Sequence, residues 1–594
     1  MKRLLVSISL LLLWTCLILA GPRVKIRNGR LEGSIMRSRK GRDIFAFRGI
    51  PYARPPVGEL RFEPPQPAAS WKGIRSAQDD GNICPQQEYM HIAARMIGSE
   101  DCLYLNVFTP ELPGVSKKNI YPVLVWIHGG GWFVGSGSSK LYGPQYLLDY
   151  EIILVTLNYR LGPLGLLSTG DDVIPGNFAF KDQVLALHWV QENIAAFGGD
   201  PGRVTIAGDS AGGTSVHYLM LSRLARGLFH QAIAESGSAV NNWAYNPPNL
   251  SRNKTHRLAK ELGCPVTTSQ KIRDCLSKIN ASVINGQTAG WPVINGFPFL
   301  KFRPVLESNK SGAFLIDTAE ELMKHGEFSD VPWLLGVNAQ EGSIFTIGLY
   351  LSPDQRELKR FNDNFFDLAP ILLQLDPACP KDDLKTICQK LRHYYLKNKI
   401  IDESNRRSFI DMMSDGQIKL ASAMAAKLYQ KIAKSSVYFY HFEYAGNVSF
   451  SPSDPKRPHG ASHGDEVLYL FPHDEGLPEF VRSERDFEMV DVMTTLWTNF
   501  VISGKPYLEN APESFVEWAP VQSDAIETFM IESPTSSRMS QYFFKNMTNI
   551  WSSLPCRAGF LYAKSGLRPQ YDHKLSNALY LLLIALTFMY YMIN

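Results

Sequence analysis

A short stretch around Ser210 constrains this chain more than any other. Residues 204–207 are apolar enough for a buried strand, residues 214–221 can continue as a helix, and the five residues between Gly208 and Gly212 are Gly-Asp-Ser-Ala-Gly. A strand that turns sharply into a helix around G-x-S-x-G is a nucleophile elbow, which needs glycines where strand and helix nearly touch. The pattern predicts Ser210 as a nucleophile beside a helix N-terminus, which favours negative charge.

The pattern on either side of this stretch predicts an α/β fold. Apolar runs of strand length alternate with helical periodicity, clearest in residues 181–194, where Val184, Leu187 and Val190 share a stripe. Such alternation implies a large, mostly parallel twisted sheet with helices on both faces. We expect one domain with inserted helical segments over residues 22–560. The strand candidates are residues 102–108, 123–127, 152–157, 204–207, 232–235, 333–337 and 437–442.

The N-terminus has the parts of a secretory signal peptide. Met1-Lys2-Arg3 is a basic start, an apolar run follows it, and cleavage is expected near Ala20. An uncleaved membrane anchor is the alternative, although the run is short for a span. Residues 1–20 are therefore expected to be absent from the mature protein.

The sequence predicts attachment to a membrane and gives no indication of nucleic-acid binding. The net charge of +4 over 594 residues is too small to imply nucleic-acid binding. Residues 578–593 form a second hydrophobic segment, preceded by a polar spacer and small residues. These are the parts of a GPI-attachment signal over residues 561–594, with attachment at Ser565 or Ala563. A membrane-spanning tail is the alternative, and both place the protein body outside the cytosol.

Export predicts disulfide bonds and glycosylation. Once Cys16 leaves with the signal, bonds between near neighbours are the economical pairing, which sequence alone does not prove. Cys556 is left over, either free or available for a bridge between two chains. The neighbouring pairs are Cys84–Cys102, Cys264–Cys275 and Cys379–Cys388. The N-x-[ST] sequons are at Asn249, Asn253, Asn280, Asn309, Asn447 and Asn546.

The chemistry of an elbow serine also needs an oxyanion hole. The sequence from His128 to Gly131 is His-Gly-Gly-Gly and directly follows the strand candidate at residues 123–127. Glycines there let backbone N–H groups approach a developing oxyanion. We expect the donors to be the N–H groups of Gly130, Gly131 and Ala211.

An acid and a histidine should follow the serine in this chain order. Glu341 comes just after the strand candidate at residues 334–338 and is the expected acid. A glycine-flanked loop carries His459 and His463. His463 is the preferred base because Gly-Asp-Glu and an apolar run at residues 467–471 follow it. Nothing in the sequence implies a metal or an organic cofactor.

With these motifs, the chain resembles the carboxylesterase/cholinesterase (type B esterase) family over nearly the whole ectodomain. Three segments, Tyr-Gly-Pro-Gln-Tyr-Leu-Leu at 142–148, Leu-Leu-Ser-Thr-Gly-Asp at 166–171 and Val-His-Tyr at 216–218, most resemble insect carboxylesterases, including venom types. The matching segments include Phe-Arg-Gly-Ile-Pro-Tyr-Ala at 47–53, Ser-Glu-Asp-Cys-Leu-Tyr-Leu-Asn-Val at 99–107, His-Gly-Gly-Gly-Trp at 128–132, Gly-Asp-Ser-Ala-Gly at 208–212, Gly-Val-Asn-Ala-Gln-Glu-Gly at 336–342 and His-Gly-Asp-Glu at 463–466. The resemblance implies an α/β-hydrolase fold.

The resemblance also implies the site. Its catalytic triad would be Ser210, Glu341 and His463, and it supports the first two local disulfides. Asp209 is a departure, because the family usually has Glu before the serine. Ser236 resembles a serine that the family places near the triad.

Within the family, the expected function is hydrolysis of small-molecule carboxylic esters through an acyl-enzyme. Choline specificity is not expected, since only Tyr89, and no Trp, lies between Cys84 and Cys102 to form a cation cage. One alternative is a cell-surface adhesion or ligand-binding relative without turnover. The other is a juvenile-hormone-type esterase, although such enzymes usually have Gln before the serine. Trp132 and Phe133 would either wall the acyl side or pack as core aromatics.

Overall fold

A computed structural model describes residues 21–88, 95–114, 120–288, 291, 300–350, 354–375, 379–450, 460–473, 481–509, 514–541 and 543–555. The strands in these ranges are β1 (Arg23–Ile26), β2 (Gly29–Glu32), β3 (Ser34–Arg37), β4 (Asp43–Pro51), β5 (Ile74–Ser76), β6 (Gln86–Gln87), β7 (Met96–Ile97), β8 (Tyr104–Thr109), β9 (Tyr121–Ile127), β10 (Ile153–Leu157), β11 (Gly199–Asp209), β12 (Gln231–Glu235), β13 (Trp333–Asn338), β14 (Val437–Phe442), β15 (Thr528–Ser533) and β16 (Ser536–Ser540).

Helices fill most of the connections. They are α1 (Gly162–Leu166), α2 (Phe178–Asn193), α3 (Ala211–Leu221), α4 (Pro248–Glu261), α5 (Ser269–Leu276), α6 (Ala281–Gln287), α7 (Ala319–Lys324), α8 (Ser343–Tyr350), α9 (Arg356–Asp363), α10 (Phe365–Leu372), α11 (Lys381–Leu396), α12 (Arg406–Ser414), α13 (Leu420–Gln430), α14 (Glu484–Ser503) and α15 (Lys545–Ser552). A π-helical turn, Asp415–Lys419, joins α12 to α13.

One mixed sheet of eleven strands organises the chain, in the order β16-β15-β14-β13-β12-β11-β9-β10-β8-β4-β3. The strands from β15 to β10 in this order pair in parallel. Antiparallel pairs occur only toward its two edges. Long helical connections between successive parallel strands are what a parallel sheet requires, so the mostly parallel arrangement expected from the sequence is confirmed.

Both faces of the sheet are buried. Val123, Val125 and Ile127 of β9 face one hydrophobic core, while Leu124 and Trp126 of the same strand face a second one. Side chains alternate between the faces of a strand, so a continuous apolar run marks a strand that is covered on both sides. This is why β9 is recognisable as an apolar run and not as an alternating one.

The parallel strands bring three candidate segments to one edge of the sheet. Gly208 near the end of β11 pairs with Ile127 at the end of β9, so Ser210 and the glycine run follow neighbouring strands. On the other side of β11, β12 separates it from β13, which ends at Asn338 shortly before Glu341. Ligands of open α/β sheets bind at this carboxyl edge.

The observed elements differ from the sequence expectations mainly at their ends. Strand β14 has the predicted bounds, whereas β11 begins at Gly199, five residues before the predicted start. The pairing of β11 with β9 shifts register between Gly199 and Val204. The residues at this shift, Gly-Asp-Pro-Gly-Arg, are not apolar, so an apolar pattern does not reveal that the strand begins there. Helix α2 begins at Phe178, directly after Asn177 in the left-handed conformation.

Two of the three predicted disulfides are confirmed, and the third is wrong. The bonds Cys84–Cys102 and Cys264–Cys275 are present. Cys388 is instead a free thiol on the inner side of α11, fully buried, and burial raises its pKa to about 12. Cys379, which precedes α11, is disulfide-bonded, but not to Cys388. Proximity in sequence failed because the helix turns Cys388 into the hydrophobic core.

The features that predict export are only partly visible. All six sequon asparagines are exposed, and so are accessible to glycosylation. Residues 1–20, Cys556 and the tail with Ala563 and Ser565 lie outside the described residues. Within the described ranges, the longest apolar helices are too short or too polar to cross a bilayer.

The cysteine arrangement predicts a specific labelling pattern. In denaturant without reductant, a thiol reagent should modify Cys388, while the native protein should resist because the thiol is buried and its pKa is raised. Mass spectrometry of tryptic peptides measures both, and Cys388→Ala is the control that removes the labelled peptide. Recovery of a peptide pair joining Cys379 to Cys388 would contradict the assignment.

Candidate active site

Ser210 occupies a strained backbone conformation between β11 and α3. Its φ is +59° and its ψ is −119°, in a region that non-glycine residues rarely adopt. The conformation is held from both sides, because the Ser210 N–H donates to the Glu235 carbonyl at 2.8 Å and the Ser210 carbonyl accepts from Thr214 N–H at 2.9 Å. The predicted elbow is therefore present, and its helix begins at Ala211.

The glycines of the elbow permit a contact that no larger residue allows. A Cβ on Gly208 or on Gly212 would overlap the carbonyl oxygen of Ile127, the last residue of β9. Both positions lack side chains because the elbow lies directly against the end of the neighbouring strand. Substitution would have to push the nucleophile turn away from the glycine loop that follows Ile127.

The glycine run after β9 lies against the nucleophile. Gly130 and Gly131 have φ values of +92° and +60°, and a Cβ on Gly129 would lie 3.3 Å from the Cβ of Ser210. In the described part of the chain, the N–H groups of Gly130 and Gly131 donate no hydrogen bond to a protein acceptor. Ala211 is the first residue of α3, where an N–H has no intrahelical partner. These three groups are free to bind an anion.

His128 supports this loop without adding charge to it. Its ring stacks on Tyr159 with centroids 4.3 Å apart, and the Tyr159 hydroxyl donates to the His128 carbonyl at 2.7 Å. Burial lowers the pKa of His128 to about 4, so the ring is neutral at physiological pH. Trp132, next in the run, is fully buried and donates to Ser215, which makes it a core residue. Phe133 stays half-buried.

Glu341 and His463 form a short hydrogen-bonded pair at the carboxyl edge of the sheet. Nδ1 of His463 is 2.6 Å from Oε2 of Glu341, and both residues are buried. The other carboxylate oxygen, Oε1, accepts from the Ser236 hydroxyl and from the Asn338 N–H, each at 2.7 Å. Glu341 is thus fully hydrogen-bonded and can orient the imidazole. Ser236 lies where the resemblance places it.

A second carboxyl group, Glu466, lies behind this pair. Its Oε1 accepts from Ser236 at 3.0 Å and from the Tyr440 hydroxyl at 3.2 Å, and the Asn338 side-chain amide bonds to its other oxygen. Burial, reinforced by the charges of Asp209 and Glu341, raises the pKa of Glu466 well above its ordinary value. These surroundings therefore disfavour the charged form of Glu466.

Two further acids complete the buried group. Glu235, at the end of β12, accepts from the Trp497 indole at 2.7 Å, and burial with the neighbouring carboxylates raises its pKa well above the usual range. Asp209 has one carboxylate oxygen, Oδ1, without a hydrogen bond. Burial raises the pKa of Asp209 to about 7, partly offset by the positive charge of His463.

Asp209 also connects the elbow to the histidine loop. A Cβ on Gly129 would lie 3.3 Å from its Oδ2, and a Cβ on Gly464 would lie 3.6 Å from the same atom. Burial opposes charge on His463, but the charges of Glu341, Asp209 and Glu466 outweigh it and raise the His463 pKa to about 9. The serine, the glycine loop and the histidine therefore converge on one place.

The sequence predicted Ser210, Glu341, His463 and Ser236, which lie at this edge of the sheet, but it did not predict the other groups that support them. Asn338, Tyr440 and Trp497 carry no local pattern that marks them, because their side-chain contacts with Glu466 and Glu235 join residues 26 to 262 positions apart. Glu466 belongs to the His-Gly-Asp-Glu segment at 463–466 that resembles the family, and this resemblance was the one feature of the sequence that could have indicated it. The alternative base, His459, and Tyr89 lie outside the described residues.

Fold and site together define an α/β hydrolase of the esterase class: a mostly parallel sheet with an elbow serine, an acid–histidine pair and a glycine loop at its carboxyl edge. The Carboxylesterase family model matches residues 20–551. The chain therefore belongs to the carboxylesterase family, as the resemblance predicted, and it is a carboxylic ester hydrolase.

Insect esterases are among its relatives. The chain is 38% identical to Esterase FE4 of Myzus persicae over 522 residues, covering 87% of this chain and 89% of that protein. It is 36% identical to a carboxylic ester hydrolase of Bombus ignitus, covering 90% and 94%. The crystal structure of juvenile hormone esterase from Manduca sexta, with OTFP covalently attached, superposes with a TM-score of 0.79 at 28% identity, covering 90% of this chain and 99% of that one.

Proposed function

We propose that this protein is a secreted serine carboxylesterase of broad ester specificity that works through an acyl-enzyme on Ser210. The observation that carries the proposal is the 2.6 Å bond between Glu341 and His463 at the same sheet edge as the strained Ser210 turn. A hormone-specific esterase is the less favoured reading, because Asp209 stands where juvenile-hormone-type enzymes usually have glutamine.

The geometry supports a two-step reaction. His463, oriented by Glu341, takes the proton of Ser210 as the serine oxygen attacks the ester carbonyl. The N–H groups of Gly130, Gly131 and Ala211 stabilise the oxyanion, and one such donor is worth about 3 kcal/mol in other serine hydrolases. The alcohol leaves with the proton from His463, and a water molecule activated by His463 then hydrolyses the acyl-enzyme.

Covalent labelling tests the nucleophile. A fluorophosphonate should modify the wild-type protein at Ser210, because an activated serine displaces fluoride, and Ser210→Ala should abolish labelling and reduce kcat by at least about 10⁴-fold. Mass spectrometry locates the adduct, with Ser236→Ala as a control that keeps the nucleophile. A folded wild-type protein that fails to label would overturn the proposal and favour the adhesion relative without turnover.

The carboxylate of Asp209 should affect the pH dependence of kcat/KM, because it raises the pKa of His463. Neutral His463 is the active base, so kcat/KM should rise with pH through the raised pKa of about 9 in the free enzyme. Asp209→Asn removes a charge that raises this pKa, so the acidic limb should move to lower pH by about one unit.

Two control variants accompany this measurement. Asp209→Glu restores the carboxylate and should keep the limb near its wild-type position. Asp415→Asn removes another buried acid, bonded to Tyr395 and not to the triad, and should leave the limb unchanged. An unshifted limb in Asp209→Asn would show that this carboxylate does not act on His463.

We also propose that the protein is exported, glycosylated at the six exposed sequons, and held on the cell surface by a GPI anchor at Ser565. The proposal is supported by the basic, then apolar, N-terminus and by the spacer and apolar tail at the other end. A phosphatidylinositol-specific phospholipase should release the active esterase from intact cells. Activity that stays with the cells would favour a spanning tail.

A further inference from the structure

A cavity of about 360 Å³ lies beside the elbow helix. Tyr218 of α3 forms one wall, and the residues Ala239 to Asn242, which follow the Ser236 support, form the next. The volume is within the range of sites that bind small organic ligands. None of the residues to which we assign a catalytic role lines it, so the proposed reaction leaves this cavity unexplained.

Most of the cavity wall is hydrocarbon. Side chains from α4, α7, α10 and the segments beside them contribute apolar surface on several sides. An occupant of this part must therefore present an apolar chain, because a polar group here would lose its hydration without gaining a partner. The principal apolar residues are Val240, Leu250, Leu315, Ala319, Ile371 and Leu375.

The remaining wall carries the guanidinium of Arg303. Its Nε donates to the Leu300 carbonyl at 3.2 Å, its Nη1 contacts the Asn242 carbonyl at 3.5 Å, and its Nη2 donates to the side-chain oxygen of Gln374. These three bonds use three of the five N–H donors of an arginine. No carboxylate of the described residues pairs with Arg303, and burial lowers its pKa to about 10. No acidic side chain in the described part of the chain neutralises this charge.

A second cation stands near Arg303. The Lys254 ammonium has one long hydrogen bond, 3.4 Å to the Asn246 side chain, and no ion pair within the described ranges. Burial first, and the charge of Arg303 second, lower the pKa of Lys254 to about 7. Within the described ranges both cations contact only neutral acceptors, and two neighbouring cations without a paired acid mark a place where an anion would bind.

Glu320 is the acid on the cavity wall, and it does not neutralise these cations. It makes no ion pair with Arg303 or Lys254, and burial raises its pKa to about 7. A large fraction is therefore protonated at neutral pH, and a protonated carboxyl can donate a hydrogen bond to an anion. The wall thus offers donors to a negatively charged group.

We propose that this cavity binds an organic carboxylate with a hydrocarbon tail, the carboxylate pairing with Arg303 and the tail lying against the apolar wall. A guanidinium with two unused N–H groups suits the two oxygens of a carboxylate. The acid half of an apolar ester has this chemistry. Binding does not depend on Ser210 acting as a nucleophile, so this proposal can fail or succeed independently of the proposed function.

Calorimetric titration of the Ser210→Ala protein with decanoate, 1-decanol and acetate tests the site. Decanoate should bind, 1-decanol with the same tail should bind at least tenfold more weakly, and acetate should not bind measurably. Arg303→Met should weaken decanoate binding at least tenfold and leave 1-decanol unchanged. Lys301→Met, which removes a neighbouring cation that does not line this cavity, should bind decanoate as the parent does.

Thermal unfolding separates ligand recognition from a structural role of Arg303. Because no acidic side chain of the described residues neutralises its charge, Arg303→Met should keep or raise the Tm without ligand, and decanoate should raise the Tm of the parent only. If Arg303→Met does not fold, Ile371→Trp takes its place: filling the apolar end should weaken decanoate and 1-decanol together. Equal decanoate binding by the parent and Arg303→Met, or unaffected binding in Ile371→Trp, overturns the proposal.

Discussion

The close approach of two backbone segments is the constraint on which the site depends. The elbow lies against the carbonyl end of β9 so closely that neither Gly208 nor Gly212 has room for a Cβ. That approach puts the strained Ser210 beside the glycine run that begins at His128. The contact is made by parallel strands in register, Gly208 opposite Ile127, so the sheet itself sets the distance between nucleophile and oxyanion donors. Side-chain chemistry is then arranged around a geometry that the backbone has already determined.

Electrostatics is the second organising element. Four buried acids surround one histidine, and like charges in a low-dielectric interior cannot all ionise. The hydrogen bonds of these acids differ. Glu341 accepts from Ser236, from the Asn338 N–H and from His463, whereas Glu235 and Glu466 have strongly raised pKa values. Of the four acids, Glu341 is the one that hydrogen-bonds the imidazole, and its other oxygen is held by Ser236 and Asn338, which fixes the orientation of the ring.

The features that could be predicted from the sequence are those that a local residue pattern encodes. Buried parallel strands are apolar runs, and a glycine-flanked serine after such a run marks the elbow, so the strands and Ser210 were predictable. Glu341 and His463 needed the family resemblance, because a carboxylate or histidine after a strand has no local signature. The support from Asn338 and Tyr440, and the true state of Cys388, were beyond prediction, since they depend on which helix face turns inward and which strands adjoin. Pairing by proximity failed for Cys388 for the same reason.

Asp209 shows how one methylene changes the character of such a site. Its carboxylate reaches Gly129 and Gly464 through Oδ2, but Oδ1 has no hydrogen bond. A buried carboxylate that lacks a partner is destabilised when ionised, so its pKa rises, here to about 7. Its charge therefore changes within the physiological pH range. The residue that departs from the family's usual pattern is thus also an acid whose charge is not fixed at neutral pH.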